Sequence, residues 1–353
     1  MRAFLLLVLC FTTSTAAIAG LPLASELRGG APIVSGSETD RVQILVDNDS
    51  FSLVIPENIA DHDRWFTHGH TALFRRRLQL TSTSSTWAQG SLGQAIYTPN
   101  ELRTARAAGL RGDRPFAGWL AASVGGEHAR RDCLIDSVLC DGSADGFGYS
   151  HVGGQLLLGT TGAWALAGVV RRSSHWLSRS LQPRGWDDVV EPAGIAIDTV
   201  VFGEGDLIAL HGANVIAGSR PALHLRLGTT IEAGSRRTSL AGNTTVQAGL
   251  MGDPMHNALP TPGVDLPVAV YLQWRSSLKA LAYDTSIEAR VHPDVAPSVA
   301  APVVFDTAAS IVVRVGPIEG SFGQGYISNQ MASLPRARQT GQFTAQCSLS
   351  LLW

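Results

Sequence analysis

The chain has 353 residues, 45% of them hydrophobic and 16% charged, and carries a formal charge of −2 at pH 7. That near-neutral balance lacks the basic footprint of a nucleic-acid binder. Beyond the N-terminal segment no apolar run reaches the ~20 residues that a membrane-spanning helix needs.

In chain order, Met1 and Arg2 precede the apolar run Ala3 to Phe11, and Ala17 and Ala19 frame a cleavage site before Gly20. This is the pattern of a secretory signal peptide over 1–19, with Cys10 inside the removed segment. Residues 20–40 form a Gly/Ser/Pro-containing leader without a strong period. From 41 to 353, segments of roughly ten residues alternate in polarity and are separated by turn residues, as strands of a transmembrane barrel are. The pattern predicts strands at Val42–Asp49, His70–Thr81, Trp87–Tyr97, Ala117–Glu127, Tyr149–Leu158, Ala193–Val201, Asp206–Ile216, Ala222–Ala233, Val268–Lys279, Ala282–Val291, Val304–Val315 and Gln342–Trp353. In the last of these, Phe343, Ala345, Cys347, Leu349, Leu351 and Trp353 share one parity and Thr344, Gln346, Ser348 and Ser350 the other. That places an apolar face toward lipid and a polar one toward a lumen.

Ala163–Leu181 departs from this period: Trp164, Leu166, Ala167, Val170, Ser174 and Leu177 recur at helical spacing. A helix cannot continue a strand wall, so it belongs on or outside the rim. The fold class is therefore all-β, a transmembrane antiparallel barrel of about twelve strands with a short helix in an extracellular loop. The outer membrane is the expected location, and the barrel-assembly machinery the expected partner during insertion. Cys133 and Cys140, in an oxidising compartment, are expected to clip a loop, and Cys347 falls on the lipid-facing parity. Lys279 is the only lysine among 27 basic residues; a compositional bias toward arginine and a phosphorylated glycolipid substrate are both compatible with that.

Three polar clusters stand out. Asp47-Asn48-Asp49 offers adjacent oxygen ligands for a hard cation, or an Asx-rich turn. Asp61 to His70 has three histidines that invite a metal reading, and Thr67 that suits a polar site; a solvated hairpin loop is the alternative. His175, on the helix after Arg171, Arg172, Ser173 and Ser174, suits a general base or a structural histidine. No Gly-x-Ser-x-Gly elbow supports a serine nucleophile.

Together these clusters resemble the outer-membrane lipid A 3'-O-deacylase family of the LpxR type. The resemblance rests on Val46-Asp47-Asn48-Asp49-Ser50-Phe51, Asp63-Arg64-Trp65-Phe66-Thr67-His68-Gly69, Gly93-Gln94-Ala95-Ile96-Tyr97-Thr98-Pro99, Gly112-Asp113-Arg114-Pro115-Phe116-Ala117-Gly118-Trp119, and the His175 helix leading to Gly185-Trp186 and Glu191-Pro192. It implies a calcium-dependent esterase that removes the 3'-linked acyloxyacyl group of lipid A, with lipopolysaccharide as substrate. It also implies a site made of Asn48, Asp49, Thr67 and His175, with Asn48 and Asp49 at the metal and His175 as base. Arg171 stands where the characterised type carries glutamine and is the candidate substrate contact. A family lysine is matched only by arginines among Arg103, Arg106 and Arg111. The competing readings are a passive or inactive barrel and an outer-membrane phospholipase. The latter is disfavoured because Ser173 and Ser174 do not face His175 on one helix.

Overall fold

The computed structural model describes residues 40–48, 65–81, 83–99, 113–135, 137–141, 148–170, 186, 190–213, 215, 219–252, 268–291, 296–333 and 341–352. The expected signal peptide and nearly all of the leader lie outside them. The strands are β1 (Arg41–Asn48), β2 (Trp65–Leu80), β3 (Ser84–Thr98), β4 (Ala117–Arg131), β5 (Tyr149–Thr161), β6 (Gly194–His211), β7 (Ser219–Gly234), β8 (Arg237–Gly252), β9 (Val268–Asp284), β10 (Val303–Val315), β11 (Ile318–Ile327) and β12 (Gln342–Leu352). A short helix, α1 (Thr285–Glu288), follows β9. Each strand pairs antiparallel with its sequence neighbours, and β1 pairs with β12, so the twelve strands close. Closure gives each strand a neighbour on both sides, a requirement where no water is present to replace a lost partner. β1 begins and β12 ends at one end of the barrel, the terminus end; the connection from β5 to β6 starts from the other, the loop end.

Side-chain parity turns the molecule inside out relative to a soluble protein. Outward positions such as Val124 and Ile195 are 65% and 70% exposed, while Arg41, Arg75, Glu127, Arg226 and Glu232 are buried in the lumen. Those charges survive there because they are paired. Arg41 meets Glu319 at 3.2 Å. Glu127 sits between Arg75 at 3.0 Å and His151 at 3.1 Å. Asp206 accepts from Arg226 at 2.7 Å and lies 3.0 Å from His224. Toward the loop end, Tyr97, Trp119, Leu157, Val200 and Val304 join an apolar layer across the lumen, with the Arg236 guanidinium 5.0 Å above the Trp119 ring. Ion pairs line the lumen at both levels, and at the loop end Arg236 meets Asp198 and Glu232 and Arg237 meets Asp284 beside the apolar layer.

The strand count agrees with expectation, but three of its parts do not. The segments expected at Ala193–Val201 and Asp206–Ile216 are one strand, β6. Gly203-Glu204-Gly205-Asp206 reads as a turn, yet its carboxylates serve the lumen ion pairs, and a register shift between Asp206 and Ile208 absorbs the irregularity. Ala282–Val291 is the end of β9 followed by α1. There Asp284 caps the helix by accepting from Ser286 N–H at 2.9 Å, which stops the strand. Two strands, β8 and β11, escape the pattern. The outward face of β8 carries Gly242, Thr244 and Ala248 among its aliphatics, and β11 holds Gly320, Gly323 and Gly325 in ten residues. Weak alternation in both comes from small residues, not from a missing face. Cys133 and Cys140 are joined by a disulfide with Cα atoms 6.1 Å apart.

Candidate functional site at the outer wall

The connection between β5 and β6 begins as a 3-10 turn, Gly162–Ala165, ends it at Leu166 in the left-handed region (φ 56°), and is helical again over 167–170. The expected helix thus has its start in place. It lies against the outside of the wall. Gly118, on the outward parity of β4, faces it, and a Cβ there would stand 2.5 Å from the Ala167 Cβ. Gln94, outward on β3, donates to the Ala165 carbonyl at 2.5 Å. Ile96, Phe116, Ala167 and Trp186 form one apolar cluster, with the Phe116 and Trp186 rings 5.1 Å apart. The far end of the strap is pinned as well. Val190 bridges Phe116, Glu191 N–H donates to the Phe116 carbonyl at 2.8 Å, and Thr161 Oγ1 donates to the Pro192 carbonyl at 3.0 Å.

Next to this strap the wall changes character. Val46 on β1, His70 on β2, and Ala345 and Cys347 on β12 all stand on the outward parity, yet all are buried, His70 to 4% exposure. Cys347 is therefore outward in register but withdrawn from the surroundings. Asn48, the last residue of β1, continues the Val46 parity and pairs with His68 on β2 and Ala345 on β12. Phe66 pairs with Tyr97 and His68 with Ile96, so Thr67 is the extra residue of a β-bulge. Bulges concentrate at barrel rims and beside active sites because they re-aim a side chain. Asn48 and Thr67 are thereby brought within one ladder rung of each other at the loop end.

Behind the wall, the barrel mouth is braced by Arg114. Its guanidinium lies 4.1 Å over Tyr97 and donates to Ser286 Oγ at 2.5 Å and Gln330 Oε1 at 3.2 Å. Glu191 is buried beside this group. Burial pushes its carboxyl up to about 7, the charge of Asp284 adds to the rise, and Thr285, Arg236 and Arg114 oppose it. These contacts explain the Gly112–Trp119 and Glu191-Pro192 motifs as architecture: Arg114 and Glu191 at the mouth, Phe116 and Gly118 under the strap, Trp119 in the lumen.

A wall of this form, with a strap at one side, is matched by the family model described as Outer membrane protein LpxR over residues 5–349. The chain belongs to this family. Its LpxR fold is also that of a solved structure, LpxR from Salmonella typhimurium, at 14% identity and a TM-score of 0.64, covering 89% of this chain and 100% of that one. The translocator domain of autotransporter NalP from Neisseria meningitidis aligns at 9% identity and a TM-score of 0.42, over 90% of this chain and 89% of that one. No curated protein matches the sequence. As a member of an outer-membrane family with a closed transmembrane barrel, this protein is an outer-membrane protein.

Of the predicted site residues in this LpxR-family chain, Asn48 and Thr67 are brought together by backbone register, while Asp49, Arg171 and His175 lie outside the described residues, as do Arg103, Arg106 and Arg111. Among the described residues no cluster of three or more His, Cys, Asp or Glu is arranged to hold a metal. Two residues inside named segments have roles that the sequence reading did not assign: His70, of the Asp61–His70 cluster, buried on the outward parity, and Gln94, of the Gly93–Pro99 motif, the tie to the strap. Gln94 left a signal, being a polar residue between Leu92 and Ile96 on the outward parity of β3.

Proposed function

We propose that this protein is a lipid A 3'-O-deacylase, an esterase that hydrolyses the acyloxyacyl ester of lipid A at the outer wall of its barrel. The observation that carries the reading is the sealed patch of outward wall beside the strap, in a member of the LpxR family. A lipid substrate reaches a barrel from the side. Outward residues on β5 and β6 such as Leu156 and Ile195 are exposed aliphatics, but here the register brings Asn48 and the bulged Thr67 to the level where the strap is pinned. The ion pairs and the Trp119 layer that reach into the lumen narrow the path a solute would take, which weighs against a passive pore.

In this reading His175 takes a proton from water as the water oxygen adds to the ester carbonyl carbon, then returns it to the departing sugar oxygen. Thr67 donates a hydrogen bond to the oxyanion that forms. The amide and carboxylate oxygens of Asn48 and Asp49 suit a hard cation, and these residues would hold calcium. A calcium ion bound there supplies positive charge beside the developing oxyanion. Arg171 offers a guanidinium to a lipid A phosphate.

The test is mass spectrometry of lipid A from cells with and without this chain. Loss of the 3'-linked acyl mass with the wild type, its retention with His175→Ala, and silencing by chelation that calcium reverses are the expected results. A decrease of roughly 100-fold or more is expected for His175→Ala. Unchanged lipid A with a folded wild-type barrel would refute the reading.

A further inference from the structure

At the terminus end, β5 begins at Tyr149, and its pairing with β6 starts at Ser150 opposite Gly205. β6 continues to His211, paired on its other side with β7 as far as Ala222. Beyond Gly205 the β5-facing edge of β6 therefore needs another partner, since bare strand edges are not tolerated against lipid. The disulfide-closed loop supplies it. Cys133 bridges Asp206, Leu134 N–H donates to the Asp206 carbonyl at 2.9 Å, and Ala209 N–H donates to the Leu139 carbonyl at 2.7 Å. The loop is itself folded back, with Ser137 and Cys140 exchanging backbone bonds at 2.9 and 3.1 Å.

This piece of wall presents aliphatic side chains. Leu134, Ile135, Val138 and Leu139 are 52%, 59%, 100% and 49% exposed. Leu134 lies on the outward side, where a Cβ on Gly205 would stand 2.8 Å from its Cγ. The height is that of the lipid-facing belt, because Leu210 and Leu223, paired with each other beyond Asp206 on β6 and β7, are also exposed outward aliphatics.

We infer that residues 133–135 and 137–140 form a lipid-contacting patch of the barrel wall, whose aliphatic side chains enter the hydrocarbon–headgroup boundary of the leaflet at the terminus end. Phospholipid is the partner. Continuity with the belt on β6 and β7 favours lipid over a protein, and the single charge between the cysteines, Asp136, suits a shallow depth. The disulfide holds the patch in register with the edge it covers.

Photocrosslinking tests this. A benzophenone amino acid replaces Val138 in the full-length chain in native outer membranes, with Leu156 on the exposed wall and Thr83 in the polar turn at the same end as references. After irradiation, intact-mass analysis should find phospholipid adducts at position 138 at a yield near that at 156 and several-fold above that at 83. A yield no higher than at 83, or capture of a protein at 138, would overturn the proposal.

Discussion

Two stretches of the same outer wall obey the same register and meet different surroundings. On β6, Ile195, Ile197 and Val201 point outward and are exposed; on β1 to β3, Val46, His70 and Ile96 point outward and are buried. Parity dictates direction, and the surroundings in that direction are set by what else folds over the wall. Lipid tolerates only apolar groups at depth, so burial is what shelters the histidine and the glutamine that this stretch carries on the outward parity. That is why a lipid-modifying site is sought there and not in the lumen.

The comparison is broken most strongly from the inside. Glu127→Ala leaves Arg75 and His151 facing each other in the lumen without their shared carboxylate. Removing one partner of a buried pair costs about 3–5 kcal/mol. The urea midpoint of the reconstituted barrel should fall accordingly, while the lipid A product of the protein that remains folded is unchanged. A loss of activity in folded protein would show that the lumen and the outer wall are coupled.

Gly118→Leu acts on the sealed stretch only. Its side chain would collide with Ala167 and lift the strap from β4, since a Cβ alone already falls at 2.5 Å. Displacement of a catalytic group by about 1 Å costs on the order of 100-fold in rate. Deacylation should fall by that order with heat-modifiability intact. The same substitution at Gly242, exposed on the outward face of β8 with no atom within 4 Å of an added Cβ, gives the reference for a wall change away from the strap.

Glu191 offers a finer probe of how the strap is fastened. Its carboxyl sits at about 7 in the fold against 4.5 ordinarily, chiefly through burial. The folded mouth thus retains a proton that the unfolded chain gives up between those values. Its contribution to stability is complete below pH 4.5 and is lost as the pH rises through 7. The thermal midpoint of the wild type should drop across that interval, and Glu191→Gln, which stays neutral, should drop less. Equal slopes would mean that another group controls the packing of residues 190–192.

The smallest effect is expected from the double variant Cys133→Ser with Cys140→Ser. Backbone bonds to Asp206 and Ala209 persist without the disulfide, so the loss should be ~2 kcal/mol or less, confined to the loop. Deacylation, on the opposite end, should be unaffected. Failure of this variant to insert would instead make the loop part of assembly.

Much of the barrel is legible in the chain because its signal is local. Alternation in Phe343 to Leu351 names a face, and the Cys133–Cys140 spacing names a clip. Legibility fails where side chains are small or where a polar run has a partner far away: β8 and β11 hide behind glycine, alanine and threonine, and Gly203 to Asp206 imitates a turn until Tyr149, His224 and Arg226 are brought to it. The site divides in the same way. The proposed Asn48, Asp49, Thr67 and His175 set could be named from motifs, whereas the part played by Gln94 within its motif could not, because it depends on a strap 71 residues away meeting the wall. By itself, then, the sequence determined the strand period, the facing of each parity and the family, all of which depend on neighbours a few residues apart. The tertiary structure alone decided which outward residues are sealed, which charges meet in the lumen and how the wall is completed at β6, because burial and pairing between distant segments exist only once the barrel has closed.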